Sequence, residues 1–521
     1  MNLNKYLVGS LILLLASSCY KDKGHYDYSD VNDFDIVLTP AAPAEDNIFL
    51  VNQPGAIAET FTLKASAEQT ITTSNDNIEY TWYRSAMIEG QSDIIADTIT
   101  GAENTMEFPP FKKMIWEVML VARDKNTDLE LHKSLIIKTK TPFANGWFFM
   151  HGEEGQRKLG SLQWDANGNH EWIPDVLEKM GQKPFAHMTS FTYLSSGNYE
   201  DMRKGNERLY IVSSPDSLSC INPFTCKMQK NAHTVGFPVN KGIKGKVIGS
   251  QLSSQPYCGV IDEDGKFWFG ENFGTFSLQD DPNSPDYCLD CGFTNTNGEF
   301  TLWDNTNKKL MYYAQWQFGT LSSSKTGNLS DLEVLWAGKA PIHIGQGDPT
   351  PALFIMKNEK SGKCYLYTID YSEGKGDKST KGGDNVESGI GNVSCDSTNV
   401  WNFTDKTRFA VSNYFEGQIF FTENNTIYVG ITAGKEKRKL YTPQSGTIKD
   451  IKFRMAEESS VVDFNDNVKV LGIIVTNNGK DEFHEIKLSN AGTVDEAKVY
   501  DLGNITIEDW DFSGMTRLAD K

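Results

Sequence analysis

The chain has 521 residues, 39% of them hydrophobic and 23% charged. That is enough apolar material to offset the entropy of folding, in a length beyond the roughly 250–300 residues at which single cores stop growing. Its 69 acidic side chains against 50 basic ones leave a net charge of −19, which excludes functions built on a basic patch, so neither nucleic acid nor an anionic membrane face is an expected partner.

At the N-terminus Lys5 precedes an apolar run from Leu7 to Leu15, interrupted by Gly9 and Ser10, and Ala16-Ser17-Ser18-Cys19 follows. A bilayer-spanning helix takes about 20 apolar residues, so this run does not cross a membrane; it suits the h-region of a signal peptide. A small-residue cleavage site ending in cysteine resembles the lipobox of bacterial lipoproteins. That resemblance makes residues 1–18 a lipoprotein signal peptide and assigns the acyl groups, palmitate among them, to Cys19. No other segment is long and apolar enough to span a bilayer, so the lipid is the expected anchor. Removing the first 18 of the 521 residues leaves 503, which calls for at least two domains. Residues 19–33 are polar and without an apolar period, and read as a flexible tether.

From 34 to 140 short alternating segments are parted by turns. Phe34-Asp35-Ile36-Val37-Leu38 opens the series, Thr60 to Ala65 alternates in period two, and Tyr80-Thr81-Trp82-Tyr83 places Tyr80 and Trp82 on one face. Trp116 to Ala122 then turns through Asp124-Lys125-Asn126-Thr127-Asp128 into Leu131 to Lys138. This spacing predicts a β-sandwich of about 100 residues with Tyr80 and Trp82 in its core. The Tyr-x-Trp strand and the Leu120-Val121-Ala122-Arg123-Asp124 segment resemble immunoglobulin modules of the PKD-like type.

Thr141-Pro142 marks a boundary, and residues 141–521 carry β-type segments with almost no helical period. Gly146-Trp147-Phe148-Phe149-Met150 comes first; Arg208 to Val212 precedes Ser217 to Ile221; and Tyr257 to Ile261 turns through Asp262-Glu263-Asp264-Gly265 into Lys266 to Phe269. Phe300 to Trp303 pairs with Lys309 to Ala314, Leu353 to Met356 with Cys364 to Ile369, Gln418 to Phe421 with Thr426 to Gly430, and Val470 to Val475 with His484 to Leu488. Each unit is strand, tight Asn/Asp/Gly turn, strand. Such hairpins recurring over the remaining length predict a β-propeller of six to eight blades, with seven the best fit; radial closure accounts for many hairpins without exposed edges better than a stack of sandwiches does.

Cys19-Tyr20-Lys21-Asp22-Lys23-Gly24, Tyr26-Asp27-Tyr28, the sandwich segment and Gly146-Trp147-Phe148-Phe149 together look like the PKD-like family of surface lipoproteins. The resemblance implies an outer-membrane lipoprotein facing the cell exterior. It would be accessory to a TonB-dependent importer of the starch-utilisation type, with its channel and lid lipoprotein, and would capture a polymeric glycan or peptide. It carries no catalytic residues over.

The sequence offers no reactive constellation, and no cofactor or metal is expected. The eight histidines are dispersed, with no His-Glu-x-x-His, and no Gly-x-Ser-x-Gly is present. Gly374 to Gly383, rich in glycine and lysine, lacks P-loop order. Asp262-Glu263-Asp264-Gly265 lacks the later glutamate of a calcium loop and reads as a plain turn. Cys288-Leu289-Asp290-Cys291 has metal-ligand spacing without a second pair, and Cys220 and Cys226, across Asn222-Pro223, are close enough in sequence for a disulfide loop. Paired carboxylates for glycoside cleavage are set by geometry and stay open.

What remains are aromatic residues in loop-like surroundings. Phe273 lies near Gly270 and Gly274, Tyr313 and Trp316 precede Gly319, and Trp401 and Tyr414 follow in polar sequence. Flat rings can stack on sugars or hold peptide side chains, so Trp316, Trp401, Phe273, Tyr313 and Tyr414 are the ligand-binding candidates, with packing between sheets as the competing role. The function expected is a non-enzymatic binding lipoprotein; the alternatives are a propeller hydrolase or lyase and a scaffold for importer subunits. Asp97-Thr98-Ile99 and Asp216-Ser217-Leu218 also resemble Asp-Ser/Thr-aliphatic acceptors for O-glycans.

Overall fold

The structure, a computed structural model, describes residues 32–41, 48–52, 61–87, 94–101, 105–108, 115–140, 145–164, 170–196, 208–214, 217–221, 226–231, 235–249, 252–253, 257–270, 275–282, 284–295, 298–314, 317–341, 350–370, 392–398, 401–412, 414–431, 436–454 and 467–514. The signal segment, Cys19 and most of the tether lie outside this set. The chain is all-β: an immunoglobulin-like sandwich followed by a seven-bladed propeller. No helix among the described residues is long and apolar enough to cross a membrane.

In the sandwich a three-stranded sheet (Phe34–Thr39, Phe61–Gln69, Thr105–Phe108) faces a five-stranded one in the order Ile48–Asn52, Glu130–Lys140, Ile115–Asp124, Ile78–Met87, Ile94–Gly101. Alternation in the sequence sets the packing. Tyr80 and Trp82 point inward with Leu120 and Ala122 against Leu63 and Ala65, all essentially without solvent contact. Buried Asp124 ties the end of its strand by accepting from the Asn126 N–H and the Asn77 side-chain amide, each at 2.9 Å.

The propeller consists of seven sheets. The first blade joins Ile507–Gly514, innermost, to Asn145–His151, Lys158–Trp164 and His170–Ile173, so the last strand of the chain closes the ring on the first. The other six innermost strands are Met188–Ser196, Ile248–Gly249, Leu289–Thr294, Leu332–Lys339, Phe409–Ala410 and Thr447–Phe453. One apolar cluster fills each of the seven blade–blade interfaces. Strands in the middle of a blade therefore bury both faces: Trp147 and Phe149 pack toward the last blade, while Phe148 and Met150 pack toward the second. This is why such strands read as unbroken apolar runs instead of alternating ones. The hairpins turn where Asn pairs or Asn-Gly supply positive φ, at Asn424-Asn425 and Asn478-Gly479, the signature of type I′ turns.

Inner strands of neighbouring blades are joined by side chains reaching backbone. Ser190 and Thr192 donate to the carbonyls of Gly245 and Val247 at 2.8 and 2.9 Å, and Lys449 donates to the Ile507 carbonyl at 2.6 Å. At the closure, Asp509 and Asp511 accept the backbone N–H groups of Phe191 and Tyr193 at 3.1 and 3.3 Å. Asp509→Ala leaves the Phe191 N–H and the Lys246 ammonium without this acceptor, and is expected to destabilise the propeller by about 2–4 kcal/mol. Chemical denaturation of both proteins measures it; an unchanged midpoint would show that Asp509 is dispensable for closure.

Candidate functional site

The axis of the ring is a cavity of about 480 Å³ whose wall mixes apolar and charged residues on or beside the innermost strands of all seven blades. It meets a second cavity of about 400 Å³ at Lys246, where Ser190, Ser213, Glu508 and Asp509 form a mouth. β-Bulges shape this wall. Five inner strands carry a register shift near their start, at Met188/Ser190, Leu289/Cys291, Val334/Trp336, Ile448/Asp450 and Ile507/Asp509. Each extra residue bends the strand and re-aims the side chains after it. Of the residues that follow these shifts, Trp336 and Asp450 line the cavity and Ser190 and Asp509 line its mouth. Trp336 is half-buried and lies against its own strand, where a Cβ at Gly338 would meet the ring at 2.2 Å; Phe409 packs 6.1 Å away, centroid to centroid.

Charges at the axis are mutually compensated. Lys246 pairs with Asp509, and the Lys452 ammonium lies 3.8 Å from the same carboxylate while donating to the Trp510 carbonyl. Asp450 accepts from the Trp510 indole N–H at 2.7 Å. Burial works to lower the Lys246 ammonium, but Asp509 and Asp511 outweigh it and hold it above its ordinary value. Burial, followed by repulsion from Lys246, lowers Lys452, and burial raises the Asp511 carboxyl against the pull of both lysines.

A second polar cluster locks the last blade to the first. Glu485, 4% exposed, accepts from the Trp147 indole at 2.6 Å and from Arg454 at 2.7 and 2.8 Å, while Tyr500 donates to it at 2.8 Å. Burial pushes its carboxyl up; the Arg454 guanidinium and the hydrogen bonds outweigh this and hold it below the usual carboxylate range. All of these partners belong to the chain itself, and the arrangement acts as a clasp.

The aromatic candidates fall elsewhere. Tyr313 is 3% exposed, packed on Phe269 at 4.5 Å between the third and fourth blades. Trp401, 2% exposed, covers Gly430 between the fifth and sixth blades. Burial corrects the expectation that these two rings meet a ligand: both fill blade interfaces. Tyr414 is half-buried, with the Lys469 ammonium 4.4 Å from its ring centre. Phe273 and Trp316 lie outside the described residues, and the three described candidates stand at different blade interfaces. The residues that do gather, Trp336, Lys246, Asp450 and Asp509, were not singled out in the sequence; the nearest signal is Trp336 two residues before Gly338.

Asp262 spends its carboxylate on the N–H groups of Asp264 and Lys266 and on the Trp268 indole, as a plain turn requires. Cys220 and Cys226 are free thiols in different blade interfaces, one facing the third blade and one the first, so the short loop between them is not a disulfide. Cys291 is turned into the apolar cluster between the fourth and fifth blades while Cys288 faces Lys244, which separates that pair too. Among the described residues no group of His, Cys, Asp and Glu is arranged to hold a metal ion.

A model of the PKD-like family matches residues 19–186, a span that runs through the tether, the sandwich and the first blade's outer strands. Two solved structures similar to this chain are a quinonprotein alcohol dehydrogenase-like protein from Bacteroides thetaiotaomicron VPI-5482 and the β-propeller domain of Cps50 (Swd1) from Myceliophteria thermophila. The first is 10% identical with TM-score 0.42, over 90% of this chain and 97% of that one; the second is 10% identical with TM-score 0.36, over 64% and 97%. No curated protein matches the chain.

Glu485→Gln keeps the size of the clasp and removes its charge. Because the folded carboxyl sits below its unfolded value, near 4.3 for glutamate, its contribution is present above that pH and is lost as pH falls through the folded value. The variant is expected to melt lower at pH 7, by about 2–4 kcal/mol of stability, with the gap to the native protein narrowing below about pH 4. Calorimetry across pH 3–7 reads this; parallel curves would remove the ion pair as the cause.

Proposed function

We propose that the protein is a lipoprotein held by acylated Cys19 on the outer membrane, facing the exterior. In this reading its propeller binds the end of a polymeric nutrient, glycan or peptide, beside a TonB-dependent importer and its lid lipoprotein. The observation that carries the binding role is the axial cavity. It has the size of small-ligand sites, about 300–1,000 Å³, and sets the half-buried Trp336 ring in a wall shared with Lys246, Asp450 and Lys452. The axial charges favour binding over proton transfer, since Lys246 and Lys452 share Asp509 and Asp450 is held by the Trp510 indole. The surface assignment rests on the likeness of Ala16-Ser17-Ser18-Cys19 to a lipobox, while the PKD-like match supports the sandwich that follows.

Calorimetric titration of the mature chain with soluble glycans and peptides tests the cavity. Trp336→Ala is expected to weaken the best ligand at least about tenfold, or about 1.4 kcal/mol, with Trp336→Phe between the two; equal affinity in all three proteins would rule the cavity out. Growth on tritiated palmitate tests the anchor: label is expected on the native chain and absent from Cys19→Ala. An unlabelled native chain recovered in the periplasm would defeat the surface assignment.

A further inference from the structure

The solvent face of the sandwich's five-stranded sheet carries a depression of about 570 Å³, lined wholly by residues of that sheet. Strand alternation puts Tyr83 on this face, opposite to Trp82, and pairing places it directly across from Thr98 on one side and Met119 on the other, with Ser134 beyond. The next row is Ser85, Glu117 and Ile136. Opposed residues on one face have Cβ atoms about 4.5–5.5 Å apart, so a ring and a thioether form one flat apolar strip with hydroxyls at both ends and a carboxylate beside it. Tyr83 is 40% exposed. Among the described residues it is the only exposed large aromatic side chain, and of the sandwich's rings Phe34, Tyr80, Trp82 and Trp116 are buried. Packing therefore does not account for Tyr83 as it accounts for them.

We infer that this face is a second binding site, independent of the propeller axis, which takes a neutral saccharide laid across Tyr83. The chemistry matches that class. A pyranose offers an apolar C–H face to an aromatic ring and hydroxyls at its edges, which Thr98, Ser85 and Ser134 can exchange bonds with and the Glu117 carboxylate can accept from. The other charged residue of the lining, Arg84, holds its guanidinium 5.1 Å from the Trp116 ring centre, and Trp116 is buried in the core on the opposite side of the sheet. Glu117 is therefore the charge the depression itself presents, and together with the chain's net charge of −19 it disfavours acidic glycans.

The test uses residues 20–521 carrying Trp336→Ala, so that axial binding is separated from binding by the sandwich, with an intact mass confirming that Thr98 is unmodified. Affinity electrophoresis in gels holding xyloglucan, galactomannan, dextran or laminarin is expected to retard this protein in at least one gel. Adding Tyr83→Ala should weaken that retardation about tenfold or more, Tyr83→Trp should restore it, and Glu117→Gln should weaken it less. Tyr83 faces solvent, so its variants are expected to keep the parent melting temperature, which is measured alongside. The inference is overturned if no neutral glycan retards the Trp336→Ala protein, if Tyr83→Ala leaves retardation unchanged, or if this face captures only polygalacturonate or casein peptides. Failure here leaves the axial cavity untouched, and failure of the axial titration leaves this result readable.

Discussion

Closure of the ring rests on the last strand, which completes the first blade's sheet and bonds to the second blade. Innermost strands splay around the axis, and their neighbours are reached by side chains that bond to backbone. Asp509 and Asp511, on alternate residues of Ile507–Gly514, take the N–H groups of Phe191 and Tyr193. Ser190 and Thr192 pass the same pattern on to the third blade through carbonyls. Each blade is apolar on both faces, so an open ring would leave two such faces in water, at a cost of about 25 cal/mol for every Å² exposed. The hydrogen bonds are individually modest. Their importance is positional, because they fix where the first blade meets the second and so hold in place the strand that closes the ring.

That dependence explains which strands were legible. The two middle strands of each blade are buried on both faces, so Trp147 to Met150, Leu209 to Val212, Leu353 to Met356 and Leu471 to Val475 stand out as apolar runs, with turn residues between partners. The innermost strands were largely missed. Thr447–Phe453 reads Thr-Ile-Lys-Asp-Ile-Lys-Phe, mixing charges for the axis with apolar residues for the interfaces, and a bulge after Ile448 breaks its period. Outermost strands such as Val494–Tyr500 are exposed along almost their whole length and carry loop-like sequence. The residues that line the axial cavity sit on or beside the innermost strands, so the part of the fold hardest to read was the part that forms the proposed site.

Two of the aromatic candidates, Trp401 and Tyr313, are buried for a related reason. Sequence alone cannot separate a ring in a loop from a ring that begins a blade interface, and polar neighbours mislead. Trp401 is followed by Asn402 and precedes a turn, yet Gly430 in the next hairpin removes a Cβ that would stand 2.7 Å from its ring and so makes room for it. Tyr313 belongs to a strand in which every second residue serves a different interface: Leu310 and Tyr312 pack toward the fifth blade, Met311 and Tyr313 toward the third.

A chain this rich in aromatic residues therefore gives most of its rings to packing, and the informative rings are those the packing leaves over. Trp336 is left half-buried because a bulge turns it toward the axis while Gly338 supports one part of it. Tyr83 is left exposed because strand alternation, having sent Tyr80 and Trp82 inward, must send it outward. The two cases differ physically. The first ring stands in an enclosed wall with charges already paired around it, whereas the second lies on an open sheet among hydroxyls. An enclosed ring suits a chain end and an open strip suits the middle of a polymer, so the two proposed sites call for different parts of a ligand. Linked sites of that kind gain affinity from their joint presentation even when each is weak.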